Sequence, residues 1–168
     1  MNVIKQSRKA LAELDWIQVD VALDMLACAK AIFCIGNGGG YAHAMHFASD
    51  LRKIAKLQAF SMDNGAEYTA RVNDLSWGQS LFSWMSSFQY PRQSCCVFVF
   101  SVGGGDRAIT STNLSGTYGG GPLTGIVWAT GGALLDEGCP IVIPSTSTPV
   151  VEGCQSVIAH HIIEKLCS

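Results

Sequence analysis

Apolar residues recur at helical spacing through Ile4, Leu11, Leu14, Ile17, Val21 and Met25, with polar residues between them, which predicts one amphipathic helix over residues 3–29. The period then changes. AIFCIG (31–36) is a short apolar run that ends in the glycine cluster 36–40, the pattern of a buried strand entering a tight loop. Helical spacing returns over 42–56, a second strand is predicted over QAFSM (58–62), and residues 66–89 read as helical with a break around Asn73–Trp77. CCVFVFS (95–101) is the plainest strand and again runs into glycines, at 103–105. Gly116 and Gly119–Gly121 argue against a long crossover helix over 106–121. Strands over 123–130 and 140–145, a short helix over 132–138 and a closing helix over 151–166 complete the chain.

Apolar strands alternating with helices imply a parallel sheet covered on both faces, hence a three-layer α/β/α sandwich with five parallel strands in one domain, residues 1–168. Ligands of such folds bind beyond the carboxyl ends of the strands. Both glycine clusters fall at that edge.

Composition narrows the picture. Charged residues make up only 14 % of the chain against 48 % apolar, so surface is expected to be buried between subunits, with the N-terminal helix serving oligomerisation. Eleven basic residues against thirteen acidic give no excess for holding nucleic acid. Seven cysteines at 28, 34, 95, 96, 139, 154 and 167 contain no C-x-x-C pair, and several lie in apolar runs; core thiols in a reducing, cytoplasmic compartment are expected. No apolar stretch is long enough to span a membrane, and the N-terminus lacks the apolar core of a secretory signal.

The loop Gly36–Gly40 departs from the dinucleotide fingerprint, because its third glycine would fall on Tyr41; no nucleotide cofactor is expected. Glycines there can simply make a tight turn, or they can expose backbone N–H groups at a helix start and cradle a phosphate. His46 and Asp50 lie four apart, on one face of the helix that follows. On the last helix His160 stands eight residues after Glu152, about 12 Å along a continuous helix. The two share a site only if Glu152 lies at or before the helix start.

FCIGNGGGYAHAMHFASDLRK (33–53) resembles the G-N-G-G-S-x-x-x-x-x-H-x-x-x-E/D segment of the sedoheptulose-7-phosphate (phosphoheptose) isomerases of the sugar isomerase (SIS) family. DNGAEYTARVNDLSW (63–77), FSVGGG (100–105) and EGCQSVIAHH (152–161) are similar to further segments of that family in the same order, so the resemblance runs from about residue 15 to 163. It implies a homotetramer with sites between subunits and a phosphorylated sugar as substrate. Asn37, Gly38, Gly39 and Gly40 would hold the phosphate, helped by Ser101, Val102 and Gly103, and Asp74 would contact sugar hydroxyls. His46, Asp50, Glu152 and His160 stand at positions that bind zinc in some members, which makes zinc the implied metal.

The implied reaction converts sedoheptulose 7-phosphate to the aldose D-glycero-D-manno-heptose 7-phosphate, for bacterial lipopolysaccharide, capsule or other surface-glycan synthesis. It needs a base for a carbon-bound proton and an acid for the carbonyl oxygen. Asp50 is expected as base and His160 as acid, with Glu152 the competing base and His46 orienting the sugar or binding metal. The chain also departs from the family: Gly40 replaces a serine, Val102, Gly103 and Asp106 stand where hydroxyls are usual, Asp50 replaces glutamate, and Glu152 a common glutamine. A non-catalytic SIS module that binds a sugar phosphate or a partner protein is the alternative.

Overall fold

A computed structural model describes residues 2–104, 125–131 and 138–168. Its elements are α1 (Val3–Ala12), α2 (Trp16–Cys28), β1 (Ala31–Gly36), α3 (Gly39–Lys53), β2 (Ala59–Phe60), α4 (Gly65–Asp74), α5 (Trp77–Ser86), β3 (Cys95–Ser101), β4 (Gly125–Thr130), β5 (Cys139–Val142) and α6 (Thr148–Leu166). The expected features at 105–124, Asp106 among them, and at 132–137 lie outside the described residues.

The strands form one parallel sheet in the order β2-β1-β3-β4-β5. The order reverses direction between β1 and β3, so the loops after these two strands flank the point where doubly wound sheets bind ligands. Alternate side chains feed two cores. Ile32, Cys34, Cys96, Phe98 and Phe100 pack with Ala22 and Leu26 of α2, Phe47 and Leu51 of α3, and Ile158 and Ile162 of α6. Ala31, Phe33, Ile35, Val97 and Val99 face Leu81 and Trp84 of α5 on the other side. The period of two along each strand thus builds the expected three layers.

The N-terminal helix is two helices. Asp15 accepts a hydrogen bond from the Ile17 N–H at 3.1 Å and caps α2, while Leu14 turns into the core. An N-cap inside an apolar-periodic stretch ends one helix and starts another. The second strand is also shorter than expected, two residues at the sheet edge. The break in 66–89 falls at Leu75–Ser76, where Ser76 and Gln79 form a capping box.

All seven cysteines are free, five of them buried. Burial pushes the Cys34 thiol well up and that of Cys96 up to about 12, so neither is a thiolate at neutral pH. They behave as core hydrophobes. No helix among the described residues is long and apolar enough to cross a membrane.

Candidate functional site

The loop from β1 to α3 is built by close approach. A Cβ on Gly36 would stand 2.5 Å from the Gly40 carbonyl carbon, and one on Gly40 would stand 2.6 Å from the Phe100 carbonyl oxygen. The first turn of α3 therefore lies directly against the end of β3, which larger residues would prevent. Gly38 holds the N-cap position at φ +54°, a conformation that glycine adopts without strain, and no side chain among the described residues caps the helix there. Within this first turn the Tyr41 N–H donates back to the Gly38 carbonyl at 3.1 Å, and the opening N–H groups of a helix are the ones with no partner inside it. A glycine loop at a helix N-terminus is the arrangement from which the sequence suggested a phosphate cradle.

The second loop lies beside it, since Gly36 and Phe100 are partners in the β1–β3 ladder. Ser101 is buried, and its Oγ accepts a hydrogen bond from the Gly104 N–H at 3.0 Å. The Val102 carbonyl accepts one from the Gly131 N–H at 3.1 Å, and Gly103 is exposed with open space where a Cβ would stand. Ser101→Ala should weaken sugar-phosphate binding by about three- to tenfold, the worth of one ordinary hydrogen bond, read by titration calorimetry. Unchanged affinity would remove the second loop from phosphate recognition.

Helices α3 and α6 lie side by side. Glu152 Oε1 occupies the space beside Gly39, and His160 meets His46 seven residues further along α3 and eight along α6. The contacts advance together, so the helices run parallel and share a polar seam. His46 Nε2 lies 3.2 Å from His160 Nε2 and 3.4 Å from Asp50 Oδ2, and His160 Nε2 lies 3.9 Å from the same oxygen. Asp50 is mostly buried, whereas both imidazoles are more than half exposed.

His160 Nδ1–H donates to the Ser156 carbonyl at 2.7 Å, which fixes the ring and leaves Nε2 its lone pair when neutral. The 3.2 Å contact then requires a proton on His46 Nε2 in the neutral pair. A metal ion would instead take both lone pairs. One ligand atom from each of His46, Asp50 and His160 lies within 4.8 Å of the others, a two-nitrogen, one-oxygen set that suits zinc with a position left open. The Ser156 carbonyl is the kind of outer partner that orients a ligating histidine.

The structure does not bring every expected residue into this group. Glu152 lies in the second turn of α6, because the helix begins at Thr148, and so stands about 12 Å along the axis from His160. It belongs to the glycine loop instead. Asp74 ends α4, exposed, with Asn73 Nδ2 donating to it at 3.1 Å, and is not bonded to the other candidates among the described residues.

Two residues escaped the sequence reading. His43 shares the α3 stripe of Gly39, His46 and Asp50; its Nδ1–H donates to the Gly39 carbonyl at 2.8 Å and its ring stacks on Phe100 at 5.9 Å. Gln155, fully buried on α6, donates from Nε2 to the Ser101 and Ala129 carbonyls. Its signal was visible: it falls in the apolar stripe Val151, Ile158, Ile162 at the position where another hydrophobe belongs.

A structure of phosphoheptose isomerase from Neisseria gonorrhoeae superposes with a TM-score of 0.74 at 18 % identity, covering 98 % of this chain and 93 % of that one. The fold is that of the phosphoheptose isomerases. A phosphoheptose isomerase from Francisella tularensis gives a TM-score of 0.73, again at 18 % identity, with 98 % and 91 % covered. The sugar isomerase domain of an RpiR transcription factor from Sphaerobacter thermophilus shares the fold at a TM-score of 0.58 and 12 % identity, with 98 % and 85 % covered. The sequence matches no protein-family model and no curated protein. Within this fold, the strand order β2-β1-β3-β4-β5 sets the two glycine loops at the switch point of the sheet.

Proposed function

We propose that this chain is a phosphosugar isomerase that converts sedoheptulose 7-phosphate to D-glycero-D-manno-heptose 7-phosphate. The observation that carries the reading is the seam. Asp50, His46 and His160 converge on one spot along a helix whose N-terminus forms a glycine cradle suited to phosphate. A carboxylate and an imidazole at 3.9 Å can divide a proton transfer between them.

Asp50 takes the proton from C1 of the ketose, and His160, in the imidazolium form that keeps Nδ1–H on Ser156 and carries a second proton on Nε2, gives that proton to the C2 carbonyl oxygen, yielding an enediol. Return of the Asp50 proton to C2, with the C1 hydroxyl proton passing back to His160 Nε2, yields the aldose and restores both groups. The partial burial of Asp50 limits the access of water to the base, and Ser156 holds His160 in the orientation its role needs. His46 orients the sugar. Zinc fits the same three residues and, when bound, would polarise the carbonyl. Glu152, next to the cradle, is the competing base, and it can join a His46–Asp50–His160 cluster only from a different copy of the chain.

That arrangement agrees with a homotetramer whose sites lie between subunits. Ile4 of α1, Ile17 and Val21 of α2 and Val157 of α6 leave apolar surface uncovered on the elements expected to make the interfaces. Light scattering should give a mass four times that of the 17.9 kDa chain, and a stable monomer at micromolar concentration would contradict it. The free thiols agree with a reducing, cytoplasmic location. Surface-heptose synthesis is the pathway that this reaction would serve.

The deciding experiment incubates the purified protein with sedoheptulose 7-phosphate, with and without zinc, and follows the aldoheptose product by NMR. The shared fold with an RpiR sugar isomerase domain favours one alternative, a module that binds a sugar phosphate without turning it over. Binding without product under both conditions would select it.

A further inference from the structure

Helix α6 packs Val151, Cys154, Ile158 and Ile162 into the main core, and Gln155 sits among them with no solvent exposure. Its Nε2 donates to the Ser101 carbonyl at 3.1 Å and to the Ala129 carbonyl at 2.7 Å. Those carbonyls stand at the carboxyl ends of neighbouring strands, where the β3–β4 ladder finishes at the Ser101–Thr130 pair and the chain turns into the second loop. Among the described residues, Oε1 of the same amide is buried without a hydrogen-bond partner. Leaving a buried acceptor unpaired is unfavourable, and a hydrophobe of the same length would avoid that cost. That hydrophobe would in turn take a donor from the Ser101 and Ala129 carbonyls, so the choice of glutamine turns on what those two bonds hold.

What the amide does is join α6 to the rim of the binding edge. One turn before it Glu152 lies on the first glycine loop, and five residues after it His160 lies in the seam. We propose that Gln155 is a positioning residue: by holding the Ser101 carbonyl it sets the Ser101–Gly104 loop against the Gly36–Gly40 cradle, so that both grip one phosphate. The proposal rests on the phosphosugar reading above and adds to it the residue that fixes the second half of the phosphate site.

Gln155→Met keeps the length and removes both the donors and the orphan acceptor. Its dissociation constants for inorganic phosphate and for sedoheptulose 7-phosphate, measured by titration calorimetry, should rise about tenfold, as expected for loss of a buried polar anchor. KM should rise in parallel while kcat stays near the parent value, and the two carbonyls that lose their donor should lower the melting temperature by only a few degrees. A folded variant with unchanged phosphate affinity, or with kcat lowered at constant KM, overturns the proposal.

Should the variant not fold, the parent protein provides the test. In 15N spectra the Gln155 side-chain amide should shift as inorganic phosphate is added. A stationary signal, while the backbone amides of residues 37–40 shift, overturns it equally. A parent that binds neither phosphate nor sugar phosphate removes the underlying reading and this proposal with it. A parent that binds both, beside an equally competent Gln155→Met, removes the proposal alone.

Discussion

Asp50→Asn and His160→Asn should each lower turnover of sedoheptulose 7-phosphate by about 10²–10⁴-fold, the usual consequence of removing a positioned proton-transfer group. Both changes are nearly isosteric or shortening, and neither side chain belongs to either hydrophobic core, so the variants should remain folded. The structure sharpens the expectation. Asp50 Oδ2 lies within 3.9 Å of both imidazole Nε2 atoms, so one substitution disturbs the whole cluster, and the double variant should lose little more than either single one. If zinc is held there, the same substitutions should also lower metal content, and a chelator should inactivate the parent. His46→Asn separates the two versions: it should abolish metal binding in the first and mainly raise KM in the second. Activity that survives both Asp50→Asn and His160→Asn would take these residues out of the mechanism and direct attention to Glu152.

These strands were legible because a parallel strand covered on both faces must be apolar along its length, and Ala31–Gly36 and Cys95–Ser101 are so up to their last residue. The N-terminal break was legible in principle: Asp15 precedes Trp16 and stands three residues before Gln18, an N-cap pattern that the longer apolar period masked. His46 and Asp50 could be paired from their spacing. His160 could not, because it comes to His46 from 114 residues away and its place beside Asp50 depends on how α6 lies against α3. Glu152 shows the opposite failure. Family spacing groups it with His160, yet the rise of a continuous helix separates them within one chain. Glycines 36 and 40 read as turn residues, whereas their tightest constraint is contact with the backbone of β3, which no local pattern encodes.

That contact sets the outcome of restoring the family's serine. Gly40→Ser should fail to strengthen phosphate binding and should instead destabilise the protein. Its Cβ would lie 2.6 Å from the Phe100 carbonyl oxygen and 3.2 Å from the carbonyl carbon, both backbone atoms of a strand paired on either side. Neither atom can yield without opening the sheet, so α3 would have to move away from β3. Overpacking of this kind costs about 1–3 kcal/mol, or a Tm lower by roughly 2–12 °C for a chain of this size. Gly36→Ala should behave alike, with its Cβ 2.5 Å from the Gly40 carbonyl. Gly39→Ala is the control one residue away: its new methyl meets the Glu152 carboxylate, the far end of a flexible side chain that can swing aside. Its stability should stay within about 0.5 kcal/mol of the parent, as for a change that displaces no packed atoms. Thermal melts of the three variants decide the matter. A Gly40→Ser protein that melts with the parent and binds sugar phosphate more tightly would show that the cradle has room for the missing hydroxyl.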